Sequence, residues 1–443
     1  MSDPKFDTII VGGGLAGLFA ARLLSERGKR ILVLEQSPYV GGLLASQELS
    51  KGEYYDFGTH YVIESGQAEI DELALDGLSS ENCLIFKESL PEGNYFLNRL
   101  DQNTGCLDAR HLSPELLDAA RKEMAEIVKA DPDLGIPLGD LNDYLLAHYG
   151  EVLTSHIFSP VMQSITGKVS RELPSGSLIL YDEEESVKLK RTKGYDDRIA
   201  YPNRNIQPSK VRKMYPRTGG VGFWMNTMAE KIKERGGVIQ CSSKISEVSE
   251  NKVILDTGET FCSEDICWTI APALVARLTK QLDLLDCRCR PTILPLTCHY
   301  LKVNAVPMTS CHWITNYSPE VPGYRYTFYS NLLGEEFGNT RICVEELGIR
   351  SVESKEFTAE NLLQGLVKMG VFAKPPEILH HSKQELKAGL PLPDKEVLWN
   401  NKKIAESIQE QFPNWHFLGA SILEKSSQVG VLSQVFEYLT RNE

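Results

Sequence analysis

The chain has 443 residues, enough for two domains or for one large domain carrying an insertion. Its formal charge of −13 excludes general nucleic-acid binding, which needs a basic surface to neutralise phosphates. No apolar run approaches the roughly 18 residues that span a bilayer, and the first strand starts almost at once, without a basic region or a cleavage site, so a cytoplasmic location is expected.

Phe6 to Val11 reads as an apolar strand that ends in Gly12-Gly13-Gly14-Leu15-Ala16-Gly17, which has G-x-G-x-x-G spacing. The next segment is helical, with Leu18, Ala21 and Leu24 on one face and Gly28 as its stop. Ile31 to Leu34 then form a second strand that ends at Glu35. This order makes a dinucleotide cradle. Gly12 permits the tight turn, Gly14 lets backbone approach a pyrophosphate, and Gly17 allows close helix–strand packing. The helix N-terminus offers free N–H groups and the positive end of its dipole to the anion. Glu35 is placed to accept from a ribose hydroxyl. Taken alone, the unit fits NAD or FAD.

Further along come Gly41-Gly42, Ser46, Tyr55-Asp56-Phe57-Gly58 and Thr59-His60. Residues 114–130 have helical periodicity from Pro114 to the stop at Asp131-Pro132, and Leu138 to Tyr149 reads as a second helix with Gly150 at its end. From Lys188 to Arg217 the chain is locally basic, with Arg191, Arg198 and Arg204 among its cations against only Asp196 and Asp197. A solvated loop balanced by Asp182 to Glu185 accounts for this, and so does a rim that receives an anionic substrate. Tyr215-Pro216-Arg217-Thr218-Gly219-Gly220 leads into a helix that stops at Arg235-Gly236-Gly237. Ile239–Ser243, Lys244–Val248 and Lys252–Asp256 read as short strands, and Asp265 to Ala271 as a buried strand before Pro272. The segment 291–345 alternates in the manner of an antiparallel sheet. Trp415 to Gly419 is a glycine-ended strand, and Ser426 to Val431 opens a last helix that runs to Tyr438. The ten cysteines include no C-x-x-C pair and no zinc-finger spacing, so they read as small buried residues in a reducing compartment, with no metal site.

On Gly41-Gly42, Ser46 and Tyr55 to His60, the chain resembles the FAD-dependent amine-oxidase, protoporphyrinogen-oxidase and UDP-galactopyranose-mutase superfamily. Tyr215–Gly220, Asp265–Pro272 and Trp415–Val431 extend the resemblance along the chain. It implies an α/β fold with a discontinuous Rossmann-like FAD-binding domain (residues 1–80, 215–275 and 400–443). An inserted α+β substrate domain (81–214 and 276–400) would contain an antiparallel sheet. The resemblance further implies FAD contacts at Gly12, Gly14, Leu15, Ala16, Gly17, Glu35, Gln36, Gly42 and Leu43. Gly58, Thr59 and His60 would lie beside the isoalloxazine ring, backbone near Ile245 at the adenine edge, and Gly419, Val429 and Gly430 at the flavin's pyrimidine end. Leu43 stands where many members carry Arg or Lys, and Ala420 where they carry Asp, Glu or Arg.

The candidates for chemistry are His60, whose imidazole titrates near neutrality, and Arg325 and Arg341, each of them either a structural ion pair or a contact to flavin or substrate phosphate. His299, His312 and His380-His381 have no partner pattern. Tyr317, Tyr324, Tyr326 and Tyr329 suit an aromatic wall over the flavin or plain strand alternation. The function implied is FAD-dependent hydride transfer from a small substrate to flavin N5 in a cleft between the domains. A non-redox nucleotide-sugar mutase is the alternative, and a flavin-binding protein without turnover a third reading. No second G-x-G-x-x-G marks an NAD(P)H site, and the oligomeric state is open.

Overall fold

The structure, a computed structural model, describes residues 5–87, 90–103, 105, 109, 112–130, 139–175, 211–286, 290–334, 338–348, 357–392, 394–422 and 427–441. It divides into two compact units. Met1–Lys87, Ser209–Arg290 and Lys395–Glu443 form the first, and Glu88–Pro208 with Pro291–Asp394 the second.

In chain order, β1 (Lys5–Val11), α1 (Leu15–Glu26) and β2 (Ile31–Leu34) precede the hairpin β3 (Ser46–Ser50) and β4 (Glu53–Asp56). Next come β5 (Val62–Ile63), α2 (Ala68–Ala74) and β6 (Cys83–Phe86). The second unit opens with β7 (Glu92–Phe96), β8 (Arg99–Asp101), α3 (Pro114–Ala130), α4 (Leu141–Leu153) and α5 (Ser159–Thr166). The first resumes with β9 (Lys213–Pro216), α6 (Gly222–Glu234), β10 (Val238–Gln240), β11 (Ile245–Ser249), β12 (Lys252–Leu255), β13 (Thr260–Trp268) and α7 (Pro272–Leu278). The second continues with β14 (Ile293–Val303), β15 (Trp313–Asn316), β16 (Arg325–Phe328) and α8 (Tyr329–Leu333). It is completed by β17 (Thr340–Leu347), α9 (Ala359–Lys368) and β18 (Ile378–Pro391). The last pieces of the first are α10 (Lys395–Gln411), β19 (Trp415–Phe417) and α11 (Gln428–Arg441).

The first unit is built on a sheet of order β10-β2-β1-β13-β12-β11, with β19 also pairing β13. Its central pairings β10–β2, β2–β1, β1–β13 and β13–β19 are parallel, while β12 runs antiparallel to both β13 and β11. A parallel sheet needs cover on both faces, which is why β2 (Ile-Leu-Val-Leu) is buried throughout. Ile404 and Ile408 of α10 share a core with Ile9, Leu32, Ile266 and the tilted ring pair Trp268 and Trp415. The buried face of α1 packs against α6 and α11.

The second unit carries a seven-stranded sheet of order β18-β14-β17-β16-β15-β7-β8. Its pairings are antiparallel apart from β7–β15, which is parallel. The antiparallel expectation for 291–345 therefore holds for β14–β17, and β7 is recruited from far upstream. Leu362, Leu363 and Leu366 of α9 pack on Leu301, Val303, Ile342 and Val344. α3 spans the expected range. α4 starts at Leu141, where the Asp140 side chain accepts from the Asp143 N–H, and its helical path breaks at Gly150, where the stop was expected. Gly150 (φ 77°, ψ 176°) is a kink between two helical stretches, and at the start of the second the Glu123 carboxylate takes up the Val152 N–H at 2.9 Å.

Candidate functional site

The turn between β1 and α1 is shaped by two steric demands. Gly12 has φ 108°, and a Cβ there would lie 2.3 Å from Thr269 Oγ1. A Cβ on Gly17 would lie 1.9 Å from the Gly12 carbonyl oxygen, so α1 can approach the turn this closely only with glycine. Gly14 is different. Its backbone is ordinary (φ −78°, ψ −173°), and a Cβ would meet nothing within 4 Å. The protein itself does not demand glycine there; an outside group closing on the backbone would. α1 has no side-chain cap and no acid in its first turn, and its first internal bond runs from the Leu18 N–H to the Gly14 carbonyl. The N–H groups of Leu15, Ala16 and Gly17 thus make no bond within the helix, the arrangement that receives a phosphate.

Glu35 closes the other side. Its carboxylate accepts from the N–H of Gly13 at 2.6 Å and of Ser37 at 2.7 Å, which holds it against the turn. Backbone beside it comes from Ser242 and Ser243, whose N–H groups donate to the carbonyls of Ser37 and Glu35. Ile245 lies farther along, paired with Leu255 in β11. Sequence reading pointed to Ile245 and passed over these serines, whose one signal was their place at the end of a strand beside β2. Gln36 is exposed.

The second glycine pair docks on the first turn. Gly41 N–H donates to the Gly13 carbonyl at 2.8 Å, and a Cβ on Gly42 would sit 3.6 Å from Gly14 Cα. Leu43, next to it, is 45% exposed, apolar surface at the rim of the cradle. Behind these loops Asp56 is a buried hub. Its carboxylate accepts from Ser46 Oγ (2.5 Å), Tyr215 Oη (2.7 Å) and the Val221 N–H (2.9 Å). Ser46 Oγ in turn accepts from the Gly222 N–H at 2.8 Å. A Cβ on Gly220 would meet both Asp56 and Ser46 at 2.4 Å, which explains the glycine pair before α6. Asp56 stood inside the motif read from sequence but had no role there; the structure makes it the anchor of the loop that carries Gly58, Thr59 and His60. His60 is half-buried, with Nε2 3.1 Å from the Phe57 carbonyl. A carbonyl only accepts, so this contact puts the proton on Nε2 and leaves Nδ1 as the acceptor of the neutral ring.

Gly419 follows β19 and meets α1: a Cβ there would sit 3.0 Å from Ala16 Cβ, and its N–H donates to Gln434 Oε1. Gln428 opens α11 and donates from Nε2 to the Tyr61 carbonyl at 2.8 Å. The Gly430 N–H is taken by Ser427 Oγ at 3.1 Å. Gly12, Gly14, Leu15, Ala16, Gly17, Glu35, Gly42 and Gly419 therefore gather around one turn.

Arg325 and Arg341 belong to the second unit. Arg325 is held bidentately by Glu345 (Nε–Oε1 2.6 Å, Nη2–Oε2 2.7 Å), which raises its pKa still further, and its side chain is 28% exposed. Arg341 is buried, with its guanidinium over the Tyr329 ring. Tyr326 is a core residue whose hydroxyl donates to the Pro322 carbonyl. Two histidines without a sequence signal turn out to be joined: His299 bonds Glu346 at 2.9 Å through Nε2 and lies 3.3 Å from His381 Nε2 through Nδ1. Their partners stand on neighbouring strands, so no spacing along the chain could have shown them. Most of the basic stretch from Lys188 lies outside the described residues. Arg212, within them, pairs with Glu64. Among the described residues the free cysteines are mostly buried, with Cys267 pushed up to about 12 by burial, and no cluster suits a metal ion. No helix is long and apolar enough to cross a membrane among them.

Residues 10–74 match the model of the NAD(P)-binding Rossmann-like domain. All-trans-retinol 13,14-reductase of Homo sapiens is 36% identical over 75 residues, 17% of this chain and 12% of that protein. Flavin-containing amine oxidase B of Homo sapiens is 41% identical over 58 residues, 13% of this chain and 11% of that protein. The chain thus spans about an eighth of the length of these curated relatives. Likeness of fold reaches much further. Reduced UDP-galactopyranose mutase superposes with a TM-score of 0.76 at 16% identity, over 99% of this chain and 93% of that one. A protoporphyrinogen oxidase homologue from Exiguobacterium sp. 255-15 gives 0.69 at 16% identity over 100% and 99%. Putrescine oxidase bound to putrescine gives 0.65 at 14% identity over 99% of each. The chain therefore has the mixed α/β fold of these solved structures, and its residues 10–74 match the NAD(P)-binding Rossmann-like domain.

Proposed function

We propose that the chain is an FAD-dependent oxidoreductase of the amine-oxidase and protoporphyrinogen-oxidase type, acting on a small substrate. The observation that carries this reading is Gly14, a glycine that neither backbone angle nor crowding requires, at an uncapped helix N-terminus with Glu35 opposite. A pyrophosphate at the Leu15–Gly17 N–H groups and a ribose at Glu35 account for all three features. The flavin names of the curated relatives at this segment support FAD as the dinucleotide. When bound, the flavin supplies the hydride-accepting N5 and so carries the chemistry.

The residues of this chain hold and orient. Leu15, Ala16 and Gly17 neutralise phosphate charge through backbone N–H groups. Gly41-Gly42 allow a second backbone segment to lie flat on the turn, and exposed Leu43 offers apolar cover. Asp56 fixes the loop bearing His60, whose Nε2 proton is held by the Phe57 carbonyl. The bidentate Glu345–Arg325 pair favours this reading over the nucleotide-sugar mutase, since an anionic substrate at Arg325 would have to displace a buried carboxylate.

The test begins with the absorption spectrum of purified protein. An FAD band, followed by substrate-dependent bleaching under anaerobic conditions with amines or alcohols, is the expected result. Protein that takes up no flavin refutes the proposal. Turnover of a nucleotide sugar only after dithionite reduction, with no net redox change, would replace it with the mutase, and bound flavin without any turnover would leave a binding protein.

A further inference from the structure

The first glycine turn is held one peptide plane at a time. Thr269 follows the last residue of β13, and both its backbone and its side chain reach the turn. Its N–H donates to the Val11 carbonyl at 3.0 Å and its hydroxyl to the same oxygen at 2.8 Å. The hydroxyl also lies 3.4 Å from the Gly12 carbonyl, a three-centre contact. A peptide group is planar, so a hold on its carbonyl sets the direction of its N–H. In the Val11–Gly12 plane that N–H is taken by the Leu34 carbonyl at 2.9 Å, and in the Gly12–Gly13 plane by Glu35 Oε2 at 2.6 Å. The Gly12–Gly13 peptide therefore lies between the Thr269 hydroxyl on one side and the Glu35 carboxylate on the other.

Crowding shows how close this fit is. A Cβ on Gly12 would lie 2.3 Å from Thr269 Oγ1, and one on Gly13 would lie 3.0 Å from Glu35 Cβ. Glu35 has one carboxylate oxygen on the Gly13 N–H and the other on the Ser37 N–H. An ionised carboxylate accepts at about four positions, so capacity for a ribose hydroxyl is left, aimed by the tilt of the Gly12–Gly13 plane. The fold does not need the Thr269 hydroxyl to keep β13 against β1. Without it the Val11 carbonyl still has the Thr269 N–H, and the parallel pairing of Val11 with Trp268 is a backbone matter.

We propose that Thr269 is a positioning residue for the cofactor, its hydroxyl orienting the Glu35 carboxylate through the Gly12–Gly13 peptide. This role rests on the reading of the turn as a dinucleotide cradle. The experiment titrates FAD into flavin-free wild type, Thr269→Ser, Thr269→Ala, Glu35→Gln and Thr269→Ala/Glu35→Gln, following flavin fluorescence, and melts each flavin-free protein. Ser and Ala differ at this position by the hydroxyl alone. Thr269→Ser should bind FAD within about threefold of wild type and Thr269→Ala about tenfold more weakly. The two flavin-free variants should melt within about 2 °C of each other. Since Thr269 acts through Glu35, adding Thr269→Ala to Glu35→Gln should weaken binding by less than about twofold further. FAD held equally by the Ser and Ala variants, or a loss that adds in full to that of Glu35→Gln, would overturn the role of Thr269 and leave the cradle intact. So would a melting temperature that falls together with the affinity, the mark of a purely structural prop. A wild type that binds no FAD would instead refute the cradle, and this role with it.

Discussion

Replacing Asp56 by Asn should loosen the loop that carries His60 while leaving the shape of the side chain intact. Asp56 is 1% exposed, and its carboxylate accepts, among the described residues, from Ser46, Tyr215 and the Val221 N–H. A bond to a charged acceptor contributes about 1.5–3 kcal/mol and a neutral one about 0.5–1.5, so the exchange costs roughly 1 kcal/mol per bond and about 3 kcal/mol in total. The Tyr215 hydroxyl suffers most, since Asn offers an N–H where Oδ2 had accepted. For a unit of this size about 3 kcal/mol corresponds to a fall of roughly 6–12 °C in Tm. Differential scanning calorimetry of wild type, Asp56→Asn and Ser46→Ala measures this, and flavin absorbance after gel filtration reports whether the cradle still holds its cofactor. The expected order of destabilisation is Asp56→Asn above Ser46→Ala, with flavin retention falling in the same order. An Asp56→Asn protein that melts within about 2 °C of wild type, less than 1 kcal/mol on the same scale, would refute the assignment of Asp56 as the anchor.

Gly17→Ala should abolish flavin retention, because its Cβ would lie 1.9 Å from the Gly12 carbonyl oxygen and force α1 off the turn; equal flavin content in wild type and variant would contradict this. His312 is buried and its pKa is pushed down to about 4 by that burial, while the unfolded chain binds the proton near the ordinary value of 6.5. The fold therefore binds fewer protons, and stability should fall as the pH drops through this window, by about 3 kcal/mol between pH 6.5 and 4. Urea midpoints at the two pH values should show a smaller drop for His312→Gln than for wild type; equal drops would count against it. Arg325→Met leaves buried Glu345 without its bidentate partner and should cost about 3 kcal/mol. Arg325→Met/Glu345→Leu, by contrast, should recover most of the loss in denaturant titrations. A double variant as unstable as the single one would show that the pair is not the source of the cost.

Local order along the chain made much of the first unit legible. The apolar run of β1, the glycine spacing, the helical face of α1 and the acid after β2 all sit within one β-α-β segment, and each follows from chemistry between near neighbours. The same holds for α3 between its prolines and for the glycine-ended strand before α11. Gly150 shows the limit: the helical path breaks there as the glycine suggests, but a second stretch starts at once, with the Val152 N–H taken up by Glu123 of the preceding helix. What sequence alone determined was a Rossmann-like β-α-β turn in an α/β fold, because the spacing of glycines is set by backbone geometry that any such turn must obey. Only the tertiary structure decided that nothing crowds Gly14, that Asp56 anchors the neighbouring loop, that Arg325 is bound to Glu345, and that His299 meets Glu346 and His381. Those pairings join residues on separate strands and loops, where the geometry of the sheet rather than distance along the chain determines which side chains meet.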